Sequence, residues 1–393
     1  MKKLAINGGE PVRKKPFPKW PIFGEEELQM LKDVLYSGVW GVGGEKKKEF
    51  ERRFAELQNA KFAIAVTNGT TALEIALRAA SVGLNDEVIL PSYTFVGTAS
   101  AVVYVNATPV FVDIDPETYC IDPARVEEAI TSRTRAIIPV HVAGQPADMD
   151  ALRKITEEHN LFLIEDSAQA HCSEWNGRRV GAIGDMGTFS FQSSKNMTCG
   201  EGGALLTNNE ELYRKCWSLH NCGRVLDGAW YEHRTIGGNA RMTEFQAAIL
   251  LAQLERVERL TDIREENAKY LTKKLSKLSG IQPLKRHPKV TRHSNHLYIF
   301  KYFQEEFEEL PREKFIEALR AEGIPCSPGY TPLHKMEFLR GKTSGTLKVT
   351  EDACYRRAVW LKQNLLLGNR EDMDDIVRSI IKIKENVKEI LQN

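Results

Sequence analysis

Between residues 62 and 208 the sequence alternates short apolar runs with amphipathic segments, and this alternation limits the chain to few folds. The apolar runs, rich in Val, Ile, Leu, Phe and Ala, are 62–67, 87–91, 108–114, 135–142, 161–166, 187–192 and 203–208. Continuous apolar strands separated by helices are typical of a mostly parallel sheet that helices cover on both faces. The pattern therefore predicts a large α/β domain with a seven-stranded sheet.

A smaller α+β domain is predicted to follow the large one. The segments behind this prediction are a long helical pattern at 242–278, a strand pattern at 297–303, and helical patterns at 311–324 and from about Asp372. A chain of 393 residues exceeds the usual size of a single domain. We place the boundary near residue 275, so that 1–275 form the large domain, with an N-terminal arm at about 1–24, and 276–393 form the small one.

Charge and cysteine content exclude several classes of protein. The 54 Lys and Arg balance 53 Asp and Glu, which leaves no excess positive charge for a nucleic acid partner. The seven cysteines are odd in number and scattered, without a C-x-x-C pair, so neither a disulfide framework nor a bound metal is expected. No apolar run reaches the length of a membrane helix, and the first residues lack the apolar core of a signal peptide. We expect a cytoplasmic protein without a membrane partner.

Polar residues follow several of the predicted strands, at the edge where ligands of parallel sheets bind. Asn68 to Thr71 follow the first strand, Phe95 lies just beyond the second, Asp166 ends the fifth and Lys195 follows the sixth. Each has an ordinary alternative when taken alone. Asn68 or Thr70 can cap a helix, Asp166 can do the same, and an isolated lysine is usually exposed.

Together these residues match the requirements of pyridoxal phosphate (PLP). A helix N-terminus with hydroxyl groups suits a phosphate, and an acid at a strand end suits a protonated pyridine nitrogen. An aromatic ring can stack on the cofactor, and a lysine can bond to it covalently. The combination predicts a PLP site with Lys195 and Asp166 as its catalytic residues.

Several long motifs resemble the DegT-type sugar aminotransferases, PLP-dependent enzymes of fold type I. They include NGTTAL, PSYTFVGTASAV, EDSAQAH, GDMGTFSFQSSKNMTCGEGGALLTN, GGNARMTEFQAAILLAQL and GYTPLH, in the order of the family. The resemblance implies that Lys195 forms the Schiff base and that Asp166 faces the pyridine nitrogen. It further implies phosphate contacts from Gly69, Thr70 and Ser190, stacking by Phe95, a place for Gln169 near the 3-oxygen of the ring, and a contact from Asn239 to the phosphate of a neighbouring subunit. A homodimer with shared active sites follows from the role of Asn239, although a polar loop residue can also be a simple turn residue.

Within the family the sequence is most similar to the branch that acts on cyclic ketones, the scyllo-inosose aminotransferases and the aminohydroxybenzoate synthases. We therefore expect a ping-pong transfer of an amino group from glutamine or glutamate to the keto group of a cyclitol or sugar. Tyr330, His334 and Arg224 are candidates to contact the substrate, although a lone histidine is more often structural. A nucleotide-linked keto-sugar aminotransferase and a PLP-dependent dehydratase similar to the aminohydroxybenzoate synthases remain alternatives.

Two positions depart from the pattern of the family. Cys172 stands where many relatives have glycine, and Val142-Ala143 replaces a Leu-Tyr or similar pair. Cys172 and the nearby Cys199 are expected to fill small spaces rather than to act in redox chemistry. A dehydratase that carries histidine in place of the lysine is disfavoured by Lys195, and a DNA-binding regulator by the neutral charge.

Overall fold

The central sheet is built from the apolar runs that the sequence predicts as strands. The structure is a computed structural model that describes residues 3–339 and 341–392. Its strands are β1 (Phe62–Val66), β2 (Glu87–Pro91), β3 (Thr108–Val112), β4 (Thr134–Ile137), β5 (Phe162–Asp166), β6 (Glu174–Trp175), β7 (Arg178–Arg179), β8 (Met186–Ser190), β9 (Gly203–Thr207), β10 (Ile281–Pro283), β11 (Val290–Arg292), β12 (Leu297–Tyr302), β13 (Lys342–Thr343) and β14 (Ala358–Lys362). All seven predicted runs overlap a strand of this sheet.

The helices lie between these strands and at both ends of the chain. They are α1 (Glu25–Ser37), α2 (Glu45–Leu57), α3 (Gly69–Ala79), α4 (Val96–Tyr104), α5 (Pro123–Ala129), α6 (Met149–His159), α7 (Glu210–His220), α8 (Glu244–Leu275), α9 (Arg312–Ala321), α10 (Lys348–Asp352), α11 (Arg370–Glu385) and α12 (Val387–Leu391). Across 3–339 and 341–392, no helix combines the length and the apolar character that a membrane span requires.

The strand order of the main sheet is β1-β9-β8-β5-β4-β2-β3-β13. From β8 to β13 all neighbouring pairs are parallel, whereas β9 runs antiparallel to both β8 and β1. The predicted α/β fold with a mostly parallel sheet is confirmed. An eighth strand, the two-residue β13, joins the edge of the sheet from the C-terminal part of the chain.

Side chains of each strand alternate between two apolar layers. In β2, Val88 and Leu90 pack in the layer that contains α3, α4 and α7, whereas Ile89 packs in the layer that contains α5 and α6. This arrangement follows from the period of two along a strand. Because both faces are covered, the strands are mainly apolar, and most of their polar side chains lie at the strand ends.

A separate apolar cluster forms around the antiparallel strands β10, β12 and β14, with helices α9 and α11. Leu271 and Leu275, from the last turns of α8, contribute to this cluster. So do Leu4 and Phe17 from the N-terminal segment. The division of the chain at residue 275 stays a prediction, and we propose that the N-terminal segment packs with the small domain.

Candidate active site

The polar residues at the strand ends line a cavity of about 1320 Å³. Thr70, Asp166, Ser190 and Lys195 contribute from the main sheet and its loops, and Trp360 of β14 contributes from the opposite side. The cavity therefore lies between the carboxyl ends of the parallel strands and the smaller sheet. This is the position at which ligands bind to open α/β sheets.

Lys195 lies in the loop after β8, and its side chain is partly exposed in the cavity. Its backbone N–H donates to the Gln192 carbonyl oxygen at 2.8 Å, which fixes the turn that carries the side chain. Burial lowers the pKa of Lys195 to about 8, although the charge of Asp166 opposes this change. The amine is thus neutral in a substantial fraction of molecules near physiological pH, as a nucleophilic lysine must be.

Asp166 ends β5, and its carboxylate is buried. Thr98 Oγ1 donates to Oδ2 at 2.8 Å, and the Ala168 backbone N–H donates to Oδ1 at 3.2 Å. Burial raises the pKa of Asp166, and these hydrogen bonds and the charge of Lys195 only partly oppose the rise. A carboxylate in this environment is stabilised by a cation in the cavity, and a protonated ring nitrogen is such a cation.

The N-terminus of α3 forms the part of the cavity that suits a phosphate. Asn68 caps this helix, because its Oδ1 accepts from the Thr71 backbone N–H at 2.8 Å, so the ordinary capping role is present. Gly69 and Thr70 also line the cavity. A Cβ on Gly69 would lie 3.0 Å from Ser190 Cβ, so glycine lets the helix end approach β8 closely. The free backbone N–H groups and the Ser190 hydroxyl together resemble an anion site at a helix N-terminus.

Phe95 and Gln169 lie at the same cavity. The Phe95 side chain is 60% exposed, which is unusual for an aromatic ring unless a ligand or partner covers it. Gln169 Oε1 accepts from the Ala143 backbone N–H at 2.7 Å, and its Nε2 donates to the Tyr330 hydroxyl at 2.7 Å. Tyr330 can therefore direct its own proton toward the cavity, which it also lines.

Three predicted residues do not reach the cavity of their own chain. The Nδ1 atom of His334 lies 2.8 Å from Ser92 Oγ, and its Nε2 atom lies 3.0 Å from Glu351 Oε1. Both ring nitrogens therefore have protein partners. Arg224 lies over the Trp230 ring at 3.9 Å. Asn239 is exposed in a loop. His334 is thus held by bonds within the protein, whereas Arg224 and Asn239 lie outside the cavity, toward the surface of the chain.

Cys172 has the left-handed backbone conformation that favours glycine, with φ at 64°. This conformation explains why glycine suits the position. Its side chain is fully buried, and burial raises the pKa of the thiol to about 11. Burial also raises the pKa of Cys199, to about 12. Both thiols are therefore protonated at neutral pH, in agreement with a space-filling role.

The sequence interpretation missed Thr98, Trp20, His296 and Gln363, all of which line the cavity. Thr98 lies one turn after Phe95 on α4, so its helical spacing could have placed it beside the strand end. The other three come from distant segments of the chain. No local pattern in the sequence indicates that they meet at the cavity.

The comparison with known proteins identifies the family. A sequence profile of the DegT/DnrJ/EryC1/StrS aminotransferase family matches residues 21–381. The chain belongs to this family. It is accordingly an aminotransferase, and the resemblance that the motifs indicate is confirmed.

Similar proteins match this aminotransferase from end to end. A Streptoalloteichus tenebrarius protein with the proposed activity of an L-glutamine:3-amino-2,3-dideoxy-scyllo-inosose aminotransferase is 42% identical, with 98% of each chain covered. The L-glutamine:2-deoxy-scyllo-inosose aminotransferase of the same organism is 39% identical, with 97% of each chain covered. Relatives of the cyclitol branch are therefore among the similar sequences.

Solved structures share the fold. The structure of 3-amino-5-hydroxybenzoic acid synthase has a TM-score of 0.88 and 34% identity, and covers 95% of this chain and 99% of its own. A proposed sugar aminotransferase of Streptococcus pneumoniae, solved in its PLP form, has a TM-score of 0.85 and 29% identity, with 95% and 100% covered. The predicted fold type I is thereby confirmed.

Proposed function

We propose that this enzyme uses PLP to transfer an amino group from L-glutamine to the keto carbon of a cyclitol. The observation that carries the proposal is the position of Lys195, which lies in the cavity with a pKa of about 8, beside Asp166 and the N-terminus of α3. The family and the PLP form of a structural neighbour support the cofactor.

The residues of the cavity fit PLP group by group. Gly69 and Thr70 would hold the phosphate with backbone N–H groups, and Ser190 would add its hydroxyl. Asp166 would accept a hydrogen bond from the protonated ring nitrogen and thereby gain the cation that its buried carboxylate needs. The exposed ring of Phe95 would stack on the cofactor, and Gln169, which also lines the cavity, would lie near the 3-oxygen. When bound, PLP acts as an electron sink that acidifies the α-carbon of an amino acid.

Lys195 would perform two tasks with the same nitrogen. Its neutral Nζ would hold the cofactor covalently until an amino donor replaces it. The released amine would then take the proton from the α-carbon of the donor and deliver it to the cofactor carbon that bears the transferred nitrogen. A pKa near 8 suits both tasks, because the amine can accept and give up a proton near neutral pH. The donor would leave as a keto acid before the acceptor enters, which is a ping-pong cycle.

The charge of the cavity favours an uncharged acceptor. Among the described residues that line it, the only Lys or Arg side chains are Lys195 and Lys362. Nucleotide-linked sugars carry a diphosphate, which proteins usually bind with arginine or several cations. A cyclitol presents only hydroxyl groups and a ketone. The names of the similar scyllo-inosose aminotransferases agree with this choice and with glutamine as the donor.

We further propose a homodimer with shared active sites, as the sequence predicts. Asn239 is exposed and lies outside the cavity of its own chain, so a contact to PLP would have to reach a neighbouring subunit. Large apolar side chains are also exposed near the helix α1, at Phe23, Leu35, Tyr36 and Trp40. Such a group of exposed apolar side chains is typical of a protein interface. The predicted cytoplasmic location stays a prediction.

The test is a substrate panel with the purified PLP-loaded enzyme. We expect 2-deoxy-scyllo-inosose and scyllo-inosose to gain an amino group with glutamine as donor, detected by mass spectrometry. A nucleotide-linked keto-sugar should react at least about tenfold more slowly, because the cavity has few cations. A clear preference for the nucleotide-linked sugar would contradict the proposed acceptor.

A dehydratase activity is the second candidate, and the likeness to 3-amino-5-hydroxybenzoic acid synthase favours it. Such an enzyme would remove water from a cyclic amino substrate and would not consume an amino donor. Incubation of the enzyme with an aminodehydroshikimate and no donor separates the two functions. Loss of one water from this compound, without amination of any ketone in the panel, would support the dehydratase.

A further inference from the structure

His296 lines the cavity, and its ring is held by a defined chain of hydrogen bonds. Asn196 Nδ2 donates to the Ser294 carbonyl oxygen at 2.8 Å. A carbonyl oxygen can only accept, so the amide of Asn196 has one possible orientation, with Oδ1 toward His296. The distance from His296 Nδ1 to this Oδ1 is 3.2 Å. His296 Nδ1 must therefore carry the hydrogen.

This tautomer leaves a lone pair on His296 Nε2. Burial lowers the pKa of His296 well below its usual value, and the positive charges of Lys195 and Arg264 lower it further. The ring therefore stays neutral at physiological pH. His296 presents a hydrogen-bond acceptor, and not a cation, at the cavity.

Gln363 also lines the cavity, and its hydrogen bond within the protein leaves a donor, and not an acceptor, for a ligand. The Arg264 Nε–H donates to Gln363 Oε1 at 2.8 Å. Arg264 is fully buried, and its guanidinium lies 5.1 Å from the centre of the Trp20 ring. Since the oxygen of Gln363 faces Arg264, the N–H groups of its Nε2 remain for a ligand. Gln363 presents a donor.

His296 and Gln363 lie near each other because they flank a cross-strand pair, Leu297 of β12 and Lys362 of β14, in the antiparallel register. Their side chains come from the loop before β12 and from the residue after β14, two strands that pair directly. One wall of the cavity thus combines a fixed acceptor with a fixed donor. A carboxamide group has the complementary pair, an N–H donor and a carbonyl acceptor.

We propose that His296 and Gln363 bind the side-chain carboxamide of the donor L-glutamine and select it over glutamate. The His296 Nε2 accepts from the amide nitrogen of the donor, and the Gln363 Nε2 donates to its carbonyl oxygen. This inference rests on the proposed aminotransferase function, and it gives that function a donor-specificity site. Asn196 and Arg264 are positioning residues, because they fix the two side chains without contacting the donor.

Glutamate does not match this pair. A carboxylate offers two acceptors, so one of its oxygens would meet the lone pair of His296 and stay without a hydrogen-bond donor. Sites that hydrogen-bond a polar group reject analogues that leave a partner unpaired. Arg264 does not line the cavity: its Nε–H is used by Gln363, and its two terminal nitrogens are buried without a hydrogen-bond partner among the described residues. Its guanidinium therefore lies behind Gln363 and does not contact a carboxylate in the cavity directly.

Binding of unreactive analogues tests the inference separately from catalysis. Glutaramate and glutarate lack the amino group, so they cannot be transaminated and report only recognition of the carboxamide or carboxylate. We expect calorimetry with the wild-type PLP-loaded enzyme at pH 7.5 to give at least about tenfold tighter binding of glutaramate, from one lost hydrogen bond and one unpaired acceptor. His296→Leu should bring the two affinities to within about threefold, because the acceptor that a carboxylate cannot satisfy is gone. Gln363→Glu should weaken glutaramate at least about threefold by removing the donor to its carbonyl oxygen, and should leave glutarate the weaker ligand.

Controls separate this role from general damage. Gln363→Glu keeps the size of the side chain and the bond to Arg264 but turns the donor into an acceptor, which makes it informative even if His296→Leu folds poorly. His159→Leu, an exposed histidine outside the cavity, should keep the wild-type preference. Equal or tighter binding of glutarate by the wild type, a preference that survives His296→Leu, or unchanged glutaramate binding in Gln363→Glu would overturn the inference.

The half-reactions distinguish this inference from the function on which it rests. If the wild type converts glutamine and glutamate at equal rates, the donor site is wrong while the aminotransferase function stands. If neither amino acid delivers its amino group to the enzyme, the proposed function itself fails. Faster reaction with glutamine, with the preference lost in His296→Leu, supports both.

Discussion

Lys195 and Asp166 depend on each other through burial and charge. Burial lowers the pKa of the amine and raises that of the carboxyl, whereas each charge opposes the change in the other residue. The amine remains reactive because burial is the larger effect. Two groups whose environments shift their pKa values toward neutrality are typical of an active site.

The rate at which the cofactor-free enzyme captures PLP should depend on pH through Lys195. Only the neutral amine attacks, so the rate should rise with pH and reach half its maximum near pH 8. In Asp166→Asn the negative charge that raises the pKa of Lys195 is lost, so the half-maximum should move to lower pH. Stopped-flow absorbance between pH 6 and 10 measures both. A half-maximum near pH 10, as for an exposed lysine, would contradict the assignment.

Asp166→Asn should slow turnover by about 100-fold or more, because the amide cannot stabilise a protonated ring nitrogen. The fold should be retained, since asparagine has the same size and can still accept from Thr98. Steady-state turnover with saturating donor measures the loss. Thr98→Val, which removes the hydrogen bonds of this hydroxyl to Asp166 and Thr94, should have a smaller effect. Turnover within a few-fold of wild type in Asp166→Asn would refute its role.

At the scale of elements, the two acidic residues at the end of β5 have different roles: we assign Asp166 to catalysis and Glu165 to stability. Glu165 and Asp166 are neighbours and point to opposite faces of the sheet, as the strand period predicts. Glu165 accepts from His141 Nε2 at 2.9 Å and from the backbone N–H groups of Gly181, Ile183 and Gly184 at 2.7 to 2.8 Å. Burial alone would raise its pKa, but these bonds outweigh burial and lower it. Glu165 thus fixes the loop before β8, the strand that leads to Lys195.

Glu165→Gln should lower the free energy of unfolding by roughly 2 to 4 kcal/mol, because an amide nitrogen would face buried N–H groups. Urea denaturation at pH 7 measures this change. Since the pKa of Glu165 is lowered in the fold, its contribution is present above about pH 4.3 and disappears as the pH falls below its folded pKa. The difference between the two proteins should therefore shrink in acid. Glu56→Gln, an exposed carboxylate, should change stability by less than about 1 kcal/mol.

The sequence predicts the elements of the main sheet well, because their signals are local. The predicted run 87–91 coincides with β2, and 62–67 differs from β1 by one residue. The sequence does not predict β13, a two-residue strand whose existence depends on pairing with β3. The position of the N-terminal segment also depends on distant contacts, such as those of Arg13 with Asp372 and Asp375 at 2.7 and 2.9 Å.

The same distinction applies to the site. Gly69, Phe95, Asp166 and Lys195 follow strands of one sheet, so topology alone brings them together. His296 and Gln363 flank two strands of another sheet, and their proposed roles depend on the orientation that Asn196 and Arg264 impose. The spacing of residues along the sequence indicates neither the location of these two side chains nor their orientation. The motif GYTPLH makes His334 a candidate substrate contact, and only the structure reveals protein partners for both of its ring nitrogens.

For the whole molecule, the proposed sharing of active sites leads to a prediction about mixtures. Lys195→Ala and Asn239→Ala should each be inactive or nearly so as pure proteins. If Asn239 acts across a dimer, a mixed dimer has one site with both residues intact. When equal amounts of the two variants exchange subunits at random, about half of the dimers are mixed. Activity should therefore return to about a quarter of wild type at most. Activity assays after mild denaturation and refolding of the mixture measure this recovery. No recovery, with mixed dimers confirmed by mass spectrometry, would argue against sharing.

The covalent bond of Lys195 to the cofactor is the claim on which the whole account depends. The most direct measurement is borohydride reduction of the PLP-loaded enzyme, followed by digestion and mass spectrometry of the peptide that contains Lys195. The proposed bond predicts that reduction fixes the cofactor on Lys195 as a label. It also predicts that incubation with glutamine before reduction removes most of this label, because the donor takes the place of the lysine. A label on another lysine, or no label on any peptide of an enzyme that binds PLP, would contradict it.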